Sequence, residues 1–518
     1  MKYNHLTTLL LTITAIISAS CSSTQDASEN GGQNTELSLN IEDGSMYQSI
    51  EHFGASDAWS CQFVGKWPDA KKDAIADLLF STEDDAAGKP KGIGLSLWRF
   101  NIGAGSAEQG AASGIGDEWR RAESFLQPNG TYDWNRQAGQ VWFANAAKQR
   151  GVQNLLVFPN SPPVSLTNNG KAFTSNAQAS NLDDSKFSAY ADYLVNVTEG
   201  LNNLGLDVDY ISPLNEPQWD WADGGQEGTP FFNNEIAQIT TLLSQKIEEK
   251  GLDTRINIAE CAQIDYLYST GNKPGRADQV KDFFIPGTAN YVGNLPHLDN
   301  AISGHSYFTT SPYNNMVSKR QQLASTVSQV QGLRYWMSEY CILGDNAGEI
   351  EGNGRDLGIS PALYLAKVIH SDLTVANATA WHWWIAISGY NYKDGLVYVD
   401  KNNTDGNYYE SKMLWAMGNY SRFIRPGYKR VKISSSLGDI QAQSFLYSAY
   451  KDPSTGKLVT VVINTAPEDK VFVLKQNGTA LTNLILYITS AQKNLEPATV
   501  TQGKVTIPSR SVVTIIAE

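Results

Sequence analysis

Two glutamates are set apart by their neighbours. Glu216 stands in Asn215-Glu216-Pro217 and Glu339 in Ser338-Glu339-Tyr340, and each closes an apolar, strand-like run. Two carboxyl groups facing one bond can divide the work, one staying protonated to donate and the other ionised to attack. Cleavage of a glycosidic bond uses such a pair, and the retaining form needs them about 5–5.5 Å apart. Proximity and burial would separate their pKa values enough to allow both roles. Alone, each motif is weak, because a strand-end glutamate more often caps a helix or pairs with a cation. Their weight depends on whether the fold brings them together.

Eight strand-like runs begin near Ile50, Ile93, Val152, Val208, Arg255, Leu298, Leu333 and Ala378. Amphipathic stretches lie between them, among them Asn135–Arg150, Ser185–Leu204 and Asn234–Lys250. Alternation of this kind predicts βαβ units and a parallel sheet, and eight units predict a closed (β/α)8 barrel. An open doubly wound sheet is the alternative, but no Gly-rich phosphate turn follows an early strand. In a barrel, the ends of the fourth and seventh strands share one rim, so Glu216 and Glu339 would converge there. After about Ser421 the pattern changes to short alternating runs separated by turn clusters such as Asp452-Pro453-Ser454, which predicts an antiparallel β-sandwich. The predicted division is a barrel over 48–420 and a side sandwich over 421–518, joined by a strand from 35–47.

The first residues read as an export signal over 1–20, with Lys2 ahead of an apolar run from Leu6 to Ile17. Ser18-Ala19-Ser20-Cys21 resembles a bacterial lipobox, which would make Cys21 a lipidated N-terminus followed by a Ser, Asn, Gln and Gly-rich tether over 21–34. The expectation is an exported lipoprotein of the outer membrane, touching the bilayer only through that lipid. Cys61, Cys261 and Cys341 remain, an odd number without zinc-type spacing, and they are expected to be buried and free. The net charge of −13 and pI near 5.0 argue against nucleic acid or a polyanion and fit a neutral partner. The 13 Trp and 24 Tyr suit stacking against sugar rings, although many must serve the core.

Seven stretches in order carry a closer resemblance: IEHFGASDAW (50–59), LWRFNIGAGS (97–106), NSPP (160–163), ISPLNEPQWDW (211–221), SGHSYF (303–308), YWMSEY (335–340) and GNYSRFIRPGY (418–428). Together they resemble glycoside hydrolase family 30, of the retaining (β/α)8 glycosidases. The resemblance implies Glu216 as general acid/base and Glu339 as nucleophile. It implies that Asn215 hydrogen-bonds the sugar 2-OH. Arg99 would hold the nucleophile ionised and oriented. His305 and Tyr307 would bond the nucleophile or the substrate. Trp381 or Trp383 would floor the cleavage subsite and Asn160 would meet substrate; of the loop residues Trp59, Trp219 and Trp221 some would stack on sugar and others pack, with Trp219 and Trp59 taken as the stacking faces. Glu260 is a third carboxylate at the same rim. Pro162-Pro163 is followed by Val164-Ser165-Leu166, without the aromatic that many relatives carry there. The loop Gln218-Trp219-Asp220-Trp221 with Gly225-Gln226-Glu227-Gly228 looks most like endo-β-1,6-galactanase members. Endo-β-1,4-xylanase and β-1,6-glucanase or β-glucosidase are alternatives, as is a non-catalytic glycan-binding surface lipoprotein. Carboxylate chemistry needs no metal or organic cofactor, so none is expected, and the expected partner is a neutral β-linked polysaccharide or oligosaccharide met by a monomer.

Overall fold

The computed structural model describes residues 36–177, 179–438 and 443–517. The expected export signal, Cys21 and tether lie outside the described residues. Strand β1 (Ser38–Ser49) is followed by β2 (His52–Ser56), β3 (Leu97–Ile102), β4 (Asn154–Pro159), β5 (Tyr210–Ile211), β6 (Arg255–Cys261), β7 (Leu298–His305), β8 (Arg334–Glu339) and β9 (Ala380–Ser388). Strands β2 to β9 are parallel in chain order, and β9 pairs with both β8 and β2, so the sheet closes into a barrel. That closure rules out the open sheet. Two further strands, β10 (Gly395–Val399) and β11 (Tyr408–Glu410), extend the sheet beyond β9.

The helices follow the expected stretches because their apolar stripes are real. In the helix Phe187–Asn203, Phe187, Tyr190, Ala191, Leu194, Val197 and Leu201 are buried on one face. The helix Asn233–Lys250 starts where the Glu235 carboxylate accepts the Phe232 N–H at 2.7 Å. It stops at Gly251, whose φ of 64° ends the turn in the left-handed region. Strand β5 is only two residues long, so Glu216 is not at a strand end as expected but five residues beyond it. Pro213 supplies no N–H to continue the ladder. The Ser212 N–H still reaches Val157 O at 2.9 Å, and the chain then leaves the sheet.

The second sheet contains β12 (Lys429–Ser435), β13 (Phe445–Lys451), β14 (Leu458–Asn464), β15 (Lys470–Gln476), β16 (Thr479–Ala480), β17 (Leu484–Thr489), β18 (Glu496–Val500), β19 (Val505–Ile507) and β20 (Ser511–Ala517), together with β1. It is antiparallel except where β1 lies parallel to β15. Strands β13, β14 and β20 are buried on both faces, which explains their unbroken apolar runs. Leu446, Tyr450, Val461 and Val512 join the barrel core, while Phe445, Tyr447, Val462 and Val513 face a second core within the sheet.

Candidate active site

The period-two alternation of β3 places Arg99 inside the barrel while Trp98 packs edge-on against Phe80 of the surrounding helix. The Arg99 guanidinium lies over the Phe158 ring, 3.7 Å from its centre. It donates to Glu339 Oε2 at 2.5 Å, to Glu260 Oε2 at 2.9 Å and to Asn215 Oδ1 at 2.9 Å. His305, at the end of β7, is 2.9 Å from Glu216 Oε1 through Nδ1 and 2.9 Å from Glu260 Oε2 through Nε2. The Tyr307 hydroxyl donates to Glu339 Oε1 at 3.0 Å. Glu260 also accepts from Ser212 and Ser338. Three carboxyl groups and two cations thus form one connected network under a cleft of about 630 Å³.

Charge separates the roles within it. Burial is the largest influence on Glu216 and raises its pKa to about 7, against the pull of His305 and Arg99. Burial acts on Glu260 as well, but Arg99 and the His305 hydrogen bond outweigh it and hold that carboxyl at about 2. Burial opposes the charged form of His305, yet Glu339 and the bonds to Glu216 and Glu260 raise it to about 10. The cations Arg99 and His305 therefore match the ion-paired carboxylates Glu260 and Glu339. Glu216 is left as the carboxyl that can keep its proton near neutrality. One ligand atom each from Glu216, His305 and Glu339 lie within 4.8 Å of one another, the kind of grouping that can hold a metal. Here, however, both His305 ring nitrogens are already engaged by Glu216 and Glu260. The same 4.8 Å keeps the two glutamates well short of the roughly 6.5–9.5 Å separation that leaves room for an inverting water.

The backbone holds two of these carboxylates in costly conformations. Glu216 has φ 46° and Glu260 φ 47°, in the left-handed region that non-glycine residues rarely occupy. The Glu216 N–H donates to Glu260 O at 2.9 Å, so each loop fixes the other. The Trp221 indole donates to Glu216 O at 3.1 Å and closes the turn from the far side.

Asn215, Glu216, Tyr307, Glu339, Trp219 and Trp221 line the cleft. Arg99 holds Glu339 as expected, and it and His305 are fully buried, so both reach a substrate only through the carboxylates and Asn215. Asn160 sits behind Asn215, accepting from its amide at 3.1 Å. Trp59 stands edge-on behind Trp384, with ring centres 5.4 Å apart, rather than in the cleft. The expectation for Trp381 is corrected most plainly. On β9, His382 points inward and meets His52 at 2.9 Å, so Trp381 and Trp383 point outward. Trp381 is fully buried and donates to Asp372 at 3.0 Å. Trp384 lines the cleft instead, with its backbone N–H donating to Tyr340 O at 2.8 Å. Sequence reasoning missed Trp384 and Phe308, and gave Glu260 no settled role. No local signal marked Trp384, because the register of β9 against β2 shifts at that residue. Cys61, Cys261 and Cys341 are buried and unpaired.

A closed barrel with two carboxyl groups of opposed character on one rim defines a retaining O-glycoside hydrolase. Residues 36–398 match the model of O-Glycosyl hydrolase family 30, and the chain belongs to that family. It is 24% identical over 409 residues to an endo-β-1,6-galactanase of Hypocrea rufa, covering 76% of this chain and 75% of that one. It is 23% identical over 373 residues to a glucuronoxylanase of Bacillus subtilis, covering 70% and 72%. The crystal structure of a conserved exported protein from Bacteroides fragilis superposes with a TM-score of 0.86 at 35% identity, covering 92% of this chain and all of that one.

Proposed function

We propose that this protein cleaves β-1,6-linked galactan within the chain by double displacement. Glu339 attacks the anomeric carbon while Glu216 gives its proton to the departing oxygen, leaving a glycosyl ester on Glu339. Glu216, now ionised, takes a proton from water as that water attacks the same carbon and releases Glu339. Arg99 and the Tyr307 hydroxyl hold Glu339 in place, and His305 holds Glu216. Asn215 lines the cleft with its amide oriented by Arg99 and Asn160, which leaves one N–H to meet a sugar hydroxyl beside the reacting carbon.

The charge of the wall carries the choice of a neutral over an acidic glycan, and the likeness to an endo-β-1,6-galactanase chooses among the neutral ones. Among the described residues the cleft lining includes Asp223, Gln226 and Asp220, the last paired with Lys273 behind it, and no Lys or Arg. Such a wall favours a neutral glycan over one bearing carboxylate branches. The chain is further proposed to be exported and anchored through Cys21. Incubation with β-1,6-galactan, glucuronoxylan and β-1,6-glucan, with products sized by chromatography, tests the reading. Mixed short galacto-oligosaccharides are expected, and activity confined to either other polymer overturns the sugar while leaving the carboxylate chemistry standing.

A further inference from the structure

The cleft does not end at Trp219. On the other side of that indole lies a second depression of about 540 Å³, so Trp219 is a wall common to both. Phe308 faces Trp219 edge-on, with ring centres 6.0 Å apart at 86°. Phe308 is 53% exposed and also lines the catalytic cleft. Its φ of 58° is strained for a bulky side chain. An apolar ring held in water by a strained backbone gains nothing in folding, so its position serves something else. The second depression also has the lining a sugar needs. Tyr266 and Tyr268 give ring surface, and their hydroxyls are fixed by bonds to Asn272 at 2.8 Å and Asp265 at 2.7 Å. Gln263, Asn315 and Gln322 supply amides. Among the described residues of the lining, Lys319 and Asp265 are the charged pair and they neutralise each other.

We propose that this depression is a distal subsite that binds further sugar units of the same polysaccharide, which crosses the ridge formed by Trp219 and Phe308. The pyranose ring offers an apolar face to the aromatics and a hydroxyl rim to the amides. Binding energy gathered there is available only to a chain long enough to reach it, which sets a preference for polymer over short oligosaccharide. The inference rests on the glycan-cleaving reading but not on the identity of the sugar.

The test uses whichever polysaccharide the protein degrades, with size-fractionated oligosaccharides of that polymer. For the wild type, kcat/KM is expected to rise with length and to keep rising beyond the shortest oligomer cleaved. Tyr268→Ala removes part of the lining. Ser318→Trp fills the depression from an exposed helix position and leaves the fold of the loop untouched. Each is expected to lower kcat/KM on polymer about 5- to 10-fold and on the shortest oligomer less than 2-fold, removing most of the length dependence. Equal loss on long and short substrates, or no loss with Ser318→Trp, overturns the distal subsite. A protein that degrades no glycan at all would instead overturn the reading beneath it.

Discussion

Five ionisable groups share the space under the cleft, and their arrangement sets the expected behaviour of single substitutions. Glu216→Gln removes the donated proton and is expected to lower kcat/KM by about 10²- to 10⁴-fold on natural glycan. On an aryl glycoside, whose leaving group needs no proton, the first step survives and a glycosyl-enzyme mass adduct accumulates. Glu339→Gln forms no adduct on either substrate. The reverse pattern would exchange the two roles. The alkaline side of the pH profile follows from Glu216, whose proton is lost as pH rises through about 7. His305 favours the ionised form of Glu216, so His305→Phe moves the alkaline limb to higher pH. A pH series of kcat/KM reads that shift, and a limb that stays in place would make His305 merely structural. Asp57 gives a further test, of stability. Burial raises its carboxyl to about 8 against a usual 3.8, so the folded state holds a proton that the unfolded state releases. Its contribution to stability therefore falls as pH rises from about 4 to about 8. Asp57→Asn should flatten the fall in melting temperature over that window. At this scale each glutamate was weak alone, and Glu216 and Glu339 stood out only through their places after the fourth and in the seventh barrel strand and through the family resemblance. The sequence could not show Glu260 as their partner. That role depends on Arg99 and His305 both reaching one oxygen, a meeting of three chain segments with no local signal.

Among the elements, β7 ends at His305 and the loop after it carries Tyr307 and Phe308, and this segment is fastened from behind. Arg320, on the helix Tyr313–Val327, donates to Asp372 at 2.7 Å, to Thr309 O at 2.9 Å and to Ser306 Oγ at 2.9 Å. Asp372, on the helix Ile359–Thr374, also receives the Trp381 indole. Both members of the ion pair are fully buried. Arg320→Leu would leave the Asp372 charge without its partner, at a cost of about 3–5 kcal/mol. Denaturant unfolding should show that loss, accompanied by a lower kcat because the loop bearing His305 and Tyr307 loosens. Unchanged kcat in the folded variant would separate the ion pair from the site. The same region shows where a pattern fails. Strand β9 is buried at every position, so apolar alternation gives no phase, and Trp381, Trp383 and Trp384 cannot be sorted inward or outward from composition. All eight barrel strands, β9 included, were legible as apolar runs, but in the second sheet β18 was hidden. Pro497 argues against a strand except at an edge, which is where it lies.

For the whole molecule, the question is whether barrel and sheet are two folding units or one. Chain order argues for one. β1 precedes the barrel yet pairs with β12 and β15, so the sheet is completed only by residues from both sides of the barrel. The contact surface argues the same way, since the inner faces of β13, β14 and β20 lie in the barrel core rather than against water. The helix Lys412–Ser421 joins the two. The Asn419 amide donates to Tyr487 O and to Thr514 Oγ1, both at 3.0 Å, and the Thr514 hydroxyl returns a bond to Asn419 O at 2.6 Å. Asn419→Ala leaves buried acceptors unmatched and should cost about 1–3 kcal/mol. If barrel and sheet unfold together, scanning calorimetry shows one transition in the wild type, and Asn419→Ala moves the whole of it to lower temperature. If they are separable, two transitions appear and the substitution shifts only the one whose contacts it breaks. A chain ending at Ser421 extends the same reasoning. It would expose Trp415 and the barrel residues that now meet Leu446 and Val512, and it would leave β1 without either neighbour. It should therefore fail to give a soluble, cooperatively melting barrel, whereas a separable barrel would retain its near-ultraviolet circular dichroism and its activity.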